Sequence, residues 1–204
     1  MIEKKIQILH FINLVGWSDL LNIMKEDLSN SNIVQKFYCD TISLQILCKI
    51  YGFNVLRLNG PEALKIVEAE GDVEYLVSKA VKFRAIVLPM LACKKSLHKF
   101  VNSYSINNSN IIIAISSPRQ NYLALEIAKK NQNLVNTKIW CLGASVYNKN
   151  KIIYTSFRLF GFVIFSPIRT TKKIISTIKE ILNIFLLKGK EFKSFCDYLE
   201  KNKM

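Results

Sequence analysis

Three features of this 204-residue chain predict an α/β fold, a Rossmann-like, mostly parallel sheet flanked by helices, with a basic helical C-terminal appendage. Short β-branched runs alternate with helical patterns through residues 1–166. Three later runs, AIVLPM (Ala85 to Met90), IIIAIS (Ile111 to Ser116) and KIWCLG (Lys138 to Gly143), are nearly all apolar and bounded by turn residues, as strands covered on both faces are. From Pro167 onward that rhythm gives way to two basic helices, and the chain is read as an α/β domain over 1–166 and an appendage over 167–204.

In chain order, KIQILH reads as a first strand, followed by an amphipathic segment from Asp19 to Leu28, a helix from Thr41 to Tyr51 and another starting at Pro61. The later strands and the helical patterns between them favour parallel pairing, in which ligands bind beyond the carboxyl ends of strands. The appendage reads as helices over Arg169 to Leu187 and Glu191 to Lys201, separated by Gly189. Ile174, Ile178, Ile181 and Phe185 share one face of the first, and Lys172, Lys173, Lys179 and Lys188 supply charge. Such a helix lies on an anionic membrane, covers a partner, or packs its stripe on the core.

Half the residues are apolar, which supports one full core and excludes a disordered chain. The formal charge of +14 attracts polyanions: nucleic acid, anionic headgroups or a diphosphate-bearing substrate. From Tyr147 to the end, 12 Lys and Arg stand against 4 Asp and Glu. The five cysteines, Cys39, Cys48, Cys93, Cys141 and Cys196, are scattered without C-x-x-C spacing, which suggests neither a disulfide framework nor a zinc site and fits a reducing compartment. The N-terminal MIEKKIQILHFINLVGW has its apolar run interrupted by His10 and Asn13 and does not read as a signal peptide. Ile152 to Pro167 is broken by Arg158 and falls short of the roughly 20 residues of a spanning helix. The expected location is cytoplasmic, with peripheral contact at the inner face of the cell membrane. Neither His10 nor His98 sits in a motif, no metal site is apparent, and no cofactor is expected.

Four local features occur in an order that resembles the WecG/TagA/CpsF glycosyltransferases. Phe11-Ile12-Asn13 stands where the family has Thr-x-Asn at an early strand end, and 27 positions after Asn13 comes Asp40, within FYCDTISLQILCKIYGFNVLRLNGPEAL. There Asp40, Gly52, Arg57 and Gly60 match the family's Asp-Gly pair, helix and Arg-x-x-Gly turn, with Thr41 in place of the Gly. SSPRQN resembles Gly-Ser-Pro-Lys-Gln-Glu; Pro118, Arg119 and Gln120 fit and Asn121 replaces the Glu. KIWCLGASVYN keeps Gly143 and Ala144 of a strand and glycine turn, and a Pro-Arg pair follows at Pro167 to Arg169. The family's Arg-Ala-Pro and Leu-Glu-Trp signatures are absent from NKNKIIYTSFRLFGFVIF, and Leu88-Pro89-Met90 stands in place of its middle Gly-Gly turn. The stretch from Lys99 to Asn110 is shorter than in a typical member by roughly a strand.

The resemblance implies an inverting, metal-independent transfer of an N-acetylhexosamine, N-acetylmannosamine-like, from a UDP-sugar donor to a polyprenyl-diphosphate-linked acceptor in cell-surface polysaccharide synthesis. It makes Asp40 the catalytic base and Asn13, Arg57, Gln120 and Gly143 the substrate-binding residues, with Arg158 and Arg169 contacting diphosphate or membrane. Each has a plainer alternative. Asp40 precedes a helix and is a favoured capping residue; Arg57 suits a diphosphate or an acidic neighbour such as Glu62; Asn13 suits its own turn; Gln120 suits an exposed helix position. A family member that has lost catalysis and serves as a membrane-surface binding or assembly protein is the alternative function. Nucleic-acid binding rests on charge and aromatics alone and is not expected; homo-oligomerisation is open.

Overall fold

The computed structural model describes residues 5–78, 81, 83–88, 94–106, 108–134, 136–148, 158–159, 162–163 and 167–201. Strands β1 (Ile6–Ile12), β2 (Ile33–Cys39), β3 (Val73–Val77), β4 (Ile86–Val87), β5 (Asn110–Ala114) and β6 (Lys138–Cys141) form a six-stranded, all-parallel sheet in the order β2-β1-β6-β5-β3-β4. With the flanking helices this is the α/β architecture expected. The register sets His10 opposite Cys141, and Asn110 opposite both Lys138 and Val73. β5 is buried along its whole length, because its run of isoleucines fits a sheet layer covered on both faces.

Two strands were missed by the apolar-run reading. β2 alternates buried and half-buried positions, and its inward face includes Gln35 as well as Ile33, Phe37 and Cys39. β3 carries Glu74 within VEYLV. In the other direction, AIVLPM yields only the two residues of β4, an edge strand paired with β3. Pro89 and Met90 lie outside the described residues, but Pro89 has no N–H for a ladder.

The helices are α1 (Leu21–Met24), α2 (Ile42–Ile50), α3 (Gly60–Ala69), α4 (Lys94–Ser103), α5 (Arg119–Lys130), α6 (Pro167–Leu186) and α7 (Gly189–Lys201). The segment expected to be helical from Asp19 to Leu28 is instead a 3₁₀ turn at Ser18–Leu20 followed by the single turn of α1. A local turn limits it: the Asp27 carboxylate accepts both the N–H and the hydroxyl of Ser29. β7 (Arg158–Leu159) and β8 (Phe162–Val163) form a separate antiparallel pair.

The chain forms two compact units, one of Met1–His10, Asn22–Lys36 and Gly60–Asn148, the other of Phe11–Leu21, Phe37–Asn59 and Lys149–Met204. α6 and α7 share the second unit with residues 11–21 and 37–59, and aromatic packing explains why. Buried Phe192 and Phe195 of α7 lie 5.1 and 5.3 Å from the Trp17 ring, and the Trp17 indole N–H donates to the Glu180 carboxylate of α6 at 2.8 Å. Buried Phe192, Phe195, Cys196 and Leu199 make α7 a core helix with a single apolar face.

The packed face of α6 is rotated from the expected stripe. Among its described side chains Thr177 and Ile184 are buried, Ile174 and Ile181 are half-buried, and Ile178 and Phe185 face solvent. Cys39, Cys48, Cys141 and Cys196 are free and buried, and Cys93 lies outside the described residues.

Candidate functional site

In the second unit, the ends of the first two strands gather three of the expected site residues. The Asp40 N–H donates to the Ile12 carbonyl at 2.8 Å, so Asp40 extends the end of β2 beside the end of β1, where Asn13 follows. Residues 56–58 run parallel to the same strand end: the Cys39 N–H donates to Leu56 O, and the Leu58 N–H to Cys39 O, at 3.1 and 3.2 Å. Arg57 is thereby the bridge partner of Cys39, next in sequence to Asp40. The Cys39 thiol feels both charges, Asp40 raising and Arg57 lowering its pKa, although its hydrogen bond to Cys48 and burial dominate and push it up.

Helix capping is not the role of Asp40. The N-cap of α2 is Thr41, extended at φ −116° and ψ 145°, whose hydroxyl accepts the Leu44 N–H at 3.4 Å. Because the Asp40 backbone is still bonded to Ile12, the chain turns into the helix one residue later than the capping alternative requires.

Asn13 does take the local role considered for it. It caps the 3₁₀ turn Leu14–Gly16, its side-chain oxygen accepting the Gly16 N–H at 2.9 Å. Arg57 is half-buried, makes no ion pair among the described residues, and holds a buried Nε–H without an acceptor. Pairing with an acidic neighbour is thus not what occupies it, and a buried guanidinium N–H without a partner is costly unless an anion meets it.

In the first unit, Gln120 and Gly143 come together beyond the ends of β5 and β6. α5 opens after Ser116-Ser117-Pro118, with a cis bond at Ser117–Pro118. Gln120 is only 3% exposed, which removes the exposed-helix alternative. Its amide nitrogen donates to Cys141 O at 3.1 Å, and its Oε1 is buried with no partner. Gly143 turns the chain after β6 at φ +55°, a left-handed conformation suited to glycine, and a Cβ there would lie 3.5 Å from that oxygen.

Other polar residues around these strand ends were not singled out by sequence. The Tyr147 hydroxyl donates to Ala114 O and accepts the Ser78 N–H, both at 2.7 Å, joining the ends of β5 and β3. From β3 the chain proceeds outward to β4 and from β5 the opposite way to β6, a reversal beyond whose strand ends α/β proteins bind ligands.

Behind the same ends runs a buried relay. Ser117 Oγ donates to Asn121 Oδ1, Asn121 Nδ2 to His10 Nδ1, His10 Nε2 to Gln35 Oε1, and Gln35 Nε2 to Ile23 O. Since Gln35 spends its amide protons on Ile23, its oxygen fixes His10 as the Nε2–H tautomer. Burial lowers the His10 pKa to about 4, against a smaller raising effect of the Gln35 hydrogen bond. A polar residue inside an otherwise apolar strand is the sequence signal that could have drawn attention to this network.

Arg158 lies in β7 and Arg169 in α6, but their side chains are outside the described residues. Among the described residues, no group of three His, Cys, Asp or Glu side chains is arranged to hold a metal ion. No helix among them is long and apolar enough to cross a membrane. Comparison with protein-family models, curated proteins and solved structures returned no match for this chain.

Proposed function

We propose that the chain is an inverting glycosyltransferase of the WecG/TagA/CpsF kind. It moves an N-acetylhexosamine from a UDP-sugar to a polyprenyl-diphosphate-linked sugar at the cytoplasmic face of the membrane. The observation that supports this reading best is the Asp40–Arg57 arrangement, a carboxylate not committed to helix capping and a guanidinium with an unused buried N–H at one strand end.

In the proposed reaction Asp40 accepts the proton of the acceptor hydroxyl as its oxygen bonds to the anomeric carbon from the face opposite UDP. The bond from that carbon to the diphosphate oxygen breaks with the electron pair leaving on UDP. Arg57 then donates to the growing negative charge. Asn13, in the same unit as Asp40 and Arg57, has an amide nitrogen without a hydrogen-bond partner among the described residues and suits the hydroxyl or acetamido groups of a sugar.

The deciding experiment supplies UDP-N-acetylmannosamine and a lipid-linked N-acetylglucosamine and follows product. Transfer that disappears in Asp40→Asn supports the assignment, and transfer at the wild-type rate in that variant refutes it.

A second reading, a non-catalytic binding or assembly protein of the same ancestry, is favoured by Asn121. It replaces the family's Glu, is fully buried, and is held by Ser117 and His10. Absence of UDP-sugar binding and turnover, with retained vesicle binding, would select it.

A further inference from the structure

The described face of α6 turned to solvent is apolar. Ile175, Ile178, Leu182, Phe185 and Leu186 recur at helical spacing and are between 48% and 76% exposed. The inward side of the same helix holds Thr177 and Ile184. Glu180, the one acidic residue of this 20-residue helix, is engaged by the Trp17 indole. Lys172 and Lys179 are exposed on the flank of the stripe, set by about 100° per residue.

A second stripe of the same kind lies on α2, within the same unit. Ile42, Ile46 and Ile50, spaced four apart, are 38%, 54% and 63% exposed, and exposed Lys49 accompanies them on a helix without acidic residues. The ring of Tyr51, directly after Ile50, lies 5.9 Å from that of Phe185, so the stripes meet at one end.

We infer that these two helices form a monotopic docking face, apolar side chains entering the acyl boundary of a bilayer while Lys49, Lys172 and Lys179 meet anionic headgroups. Exposed apolar stripes of this extent mark an interaction surface, and an outward apolar face with basic flanks is the pattern of helices lying in the membrane interface. The charge decides the occupant. A second copy would bring another +14 chain and its own lysines against this face, whereas an anionic leaflet supplies the opposite sign.

The surface deepens the peripheral placement proposed above and rests on it only for location. An assay that omits UDP-sugar and acceptor therefore separates failure of docking from failure of transfer.

Full-length protein is sedimented with vesicles of phosphatidylcholine alone and of equimolar phosphatidylcholine and phosphatidylglycerol. Binding is expected to the anionic vesicles, falling by on the order of tenfold or more in the Ile178→Glu, Leu182→Glu double variant. Lys172→Gln with Lys179→Gln should weaken binding and reduce its salt sensitivity. If the acidic α6 variant fails to fold by circular dichroism, Ile46→Glu on α2 carries the same expectation. Absence of binding to anionic vesicles overturns the proposal, as does equal binding by folded acidic variants. A wild-type dimer in solution that these substitutions dissociate, without vesicle binding, assigns the face to a second copy and also overturns it.

Discussion

Arg57 is the parallel bridge partner of Cys39, so backbone hydrogen bonds, and not a charge pair, bring its guanidinium to the end of the strand that continues into Asp40. A side chain positioned this way keeps its place when a nearby charge is removed, which makes its electrostatic contribution separable from folding. Arg57→Gln is expected to lower kcat/KM for transfer by about 10²–10³, the scale for loss of one donor to developing charge. Arg57→Lys should recover only part of the loss, because an ammonium lacks the guanidinium fork. Steady-state kinetics with UDP-sugar checks both. Equal kcat/KM in wild type and Arg57→Gln would remove Arg57 from the leaving-group role.

Thr41 takes the capping duty that sequence alone offers to Asp40 as the alternative to catalysis. Loss of the Thr41 cap in Thr41→Ala should cost about 0.5–1 kcal/mol of unfolding free energy, at the low end because the bond is 3.4 Å long. Transfer should stay within about threefold of wild type, since the hydroxyl is spent on Leu44. Asp40→Asn should instead lower kcat by about 10²–10⁴, the range of a lost general base. Urea unfolding and a transfer assay on the two variants distinguish them, and a transfer defect as deep in Thr41→Ala as in Asp40→Asn would contradict this division.

The alternating strand and helix pattern was legible because β5 and β6 are short, apolar and bracketed by turn residues. β2 and β3 were not, since a buried Gln35 and a Glu74 break the apolar run that identifies a covered strand. The inward face of α6 was not legible for a related reason. Periodicity reports that isoleucines share a side, but only the Trp17–Glu180 hydrogen bond and buried Thr177 show which side packs inward. At the candidate site, the resemblance placed Asn13 at a strand end, Asp40 before a helix and Arg57 in the turn after that helix. It could not show that Thr41 takes the cap, or that Gln120 is buried with one oxygen unsatisfied, because both depend on where the backbone turns.

Gly60 opens α3 in close contact with the 3₁₀ turn Gly143–Asn148 of the same unit. A Cβ added there would come within 2.9 Å of the Ser145 Cβ and on top of its hydroxyl, whereas the nearest backbone atom, Leu142 O, is at an ordinary 3.6 Å. The obstacle is thus one side chain. Gly60→Ala is expected to cost about 1–3 kcal/mol as overpacking, and Ser145→Gly introduced beside it should recover much of that loss. Thermal unfolding of the single and double variants tests the pair. An additive double variant would show that the contact does not set the requirement for glycine.

His10 gives the fold a pH dependence whose sign follows from its network. Folded, its pKa lies at about 4 because burial disfavours the charged ring; unfolded, it titrates near 6.5. Between these values the unfolded chain binds the proton and the folded one does not. The contribution of His10 to stability is therefore full above about pH 6.5, declines as pH falls, and levels off below about pH 4. The total change is about 3 kcal/mol, from a shift of about 2.5 pKa units. Protonation would also place an N–H at Nδ1 against the donating amide of Asn121, a conflict consistent with the same direction. Because carboxylates titrate in the lower part of this window, the measurement is the difference between wild type and His10→Gln in urea unfolding from pH 7 to pH 4. Wild type should lose stability more steeply than the variant between about pH 6.5 and 4, and parallel curves would show that the buried imidazole does not couple folding to pH.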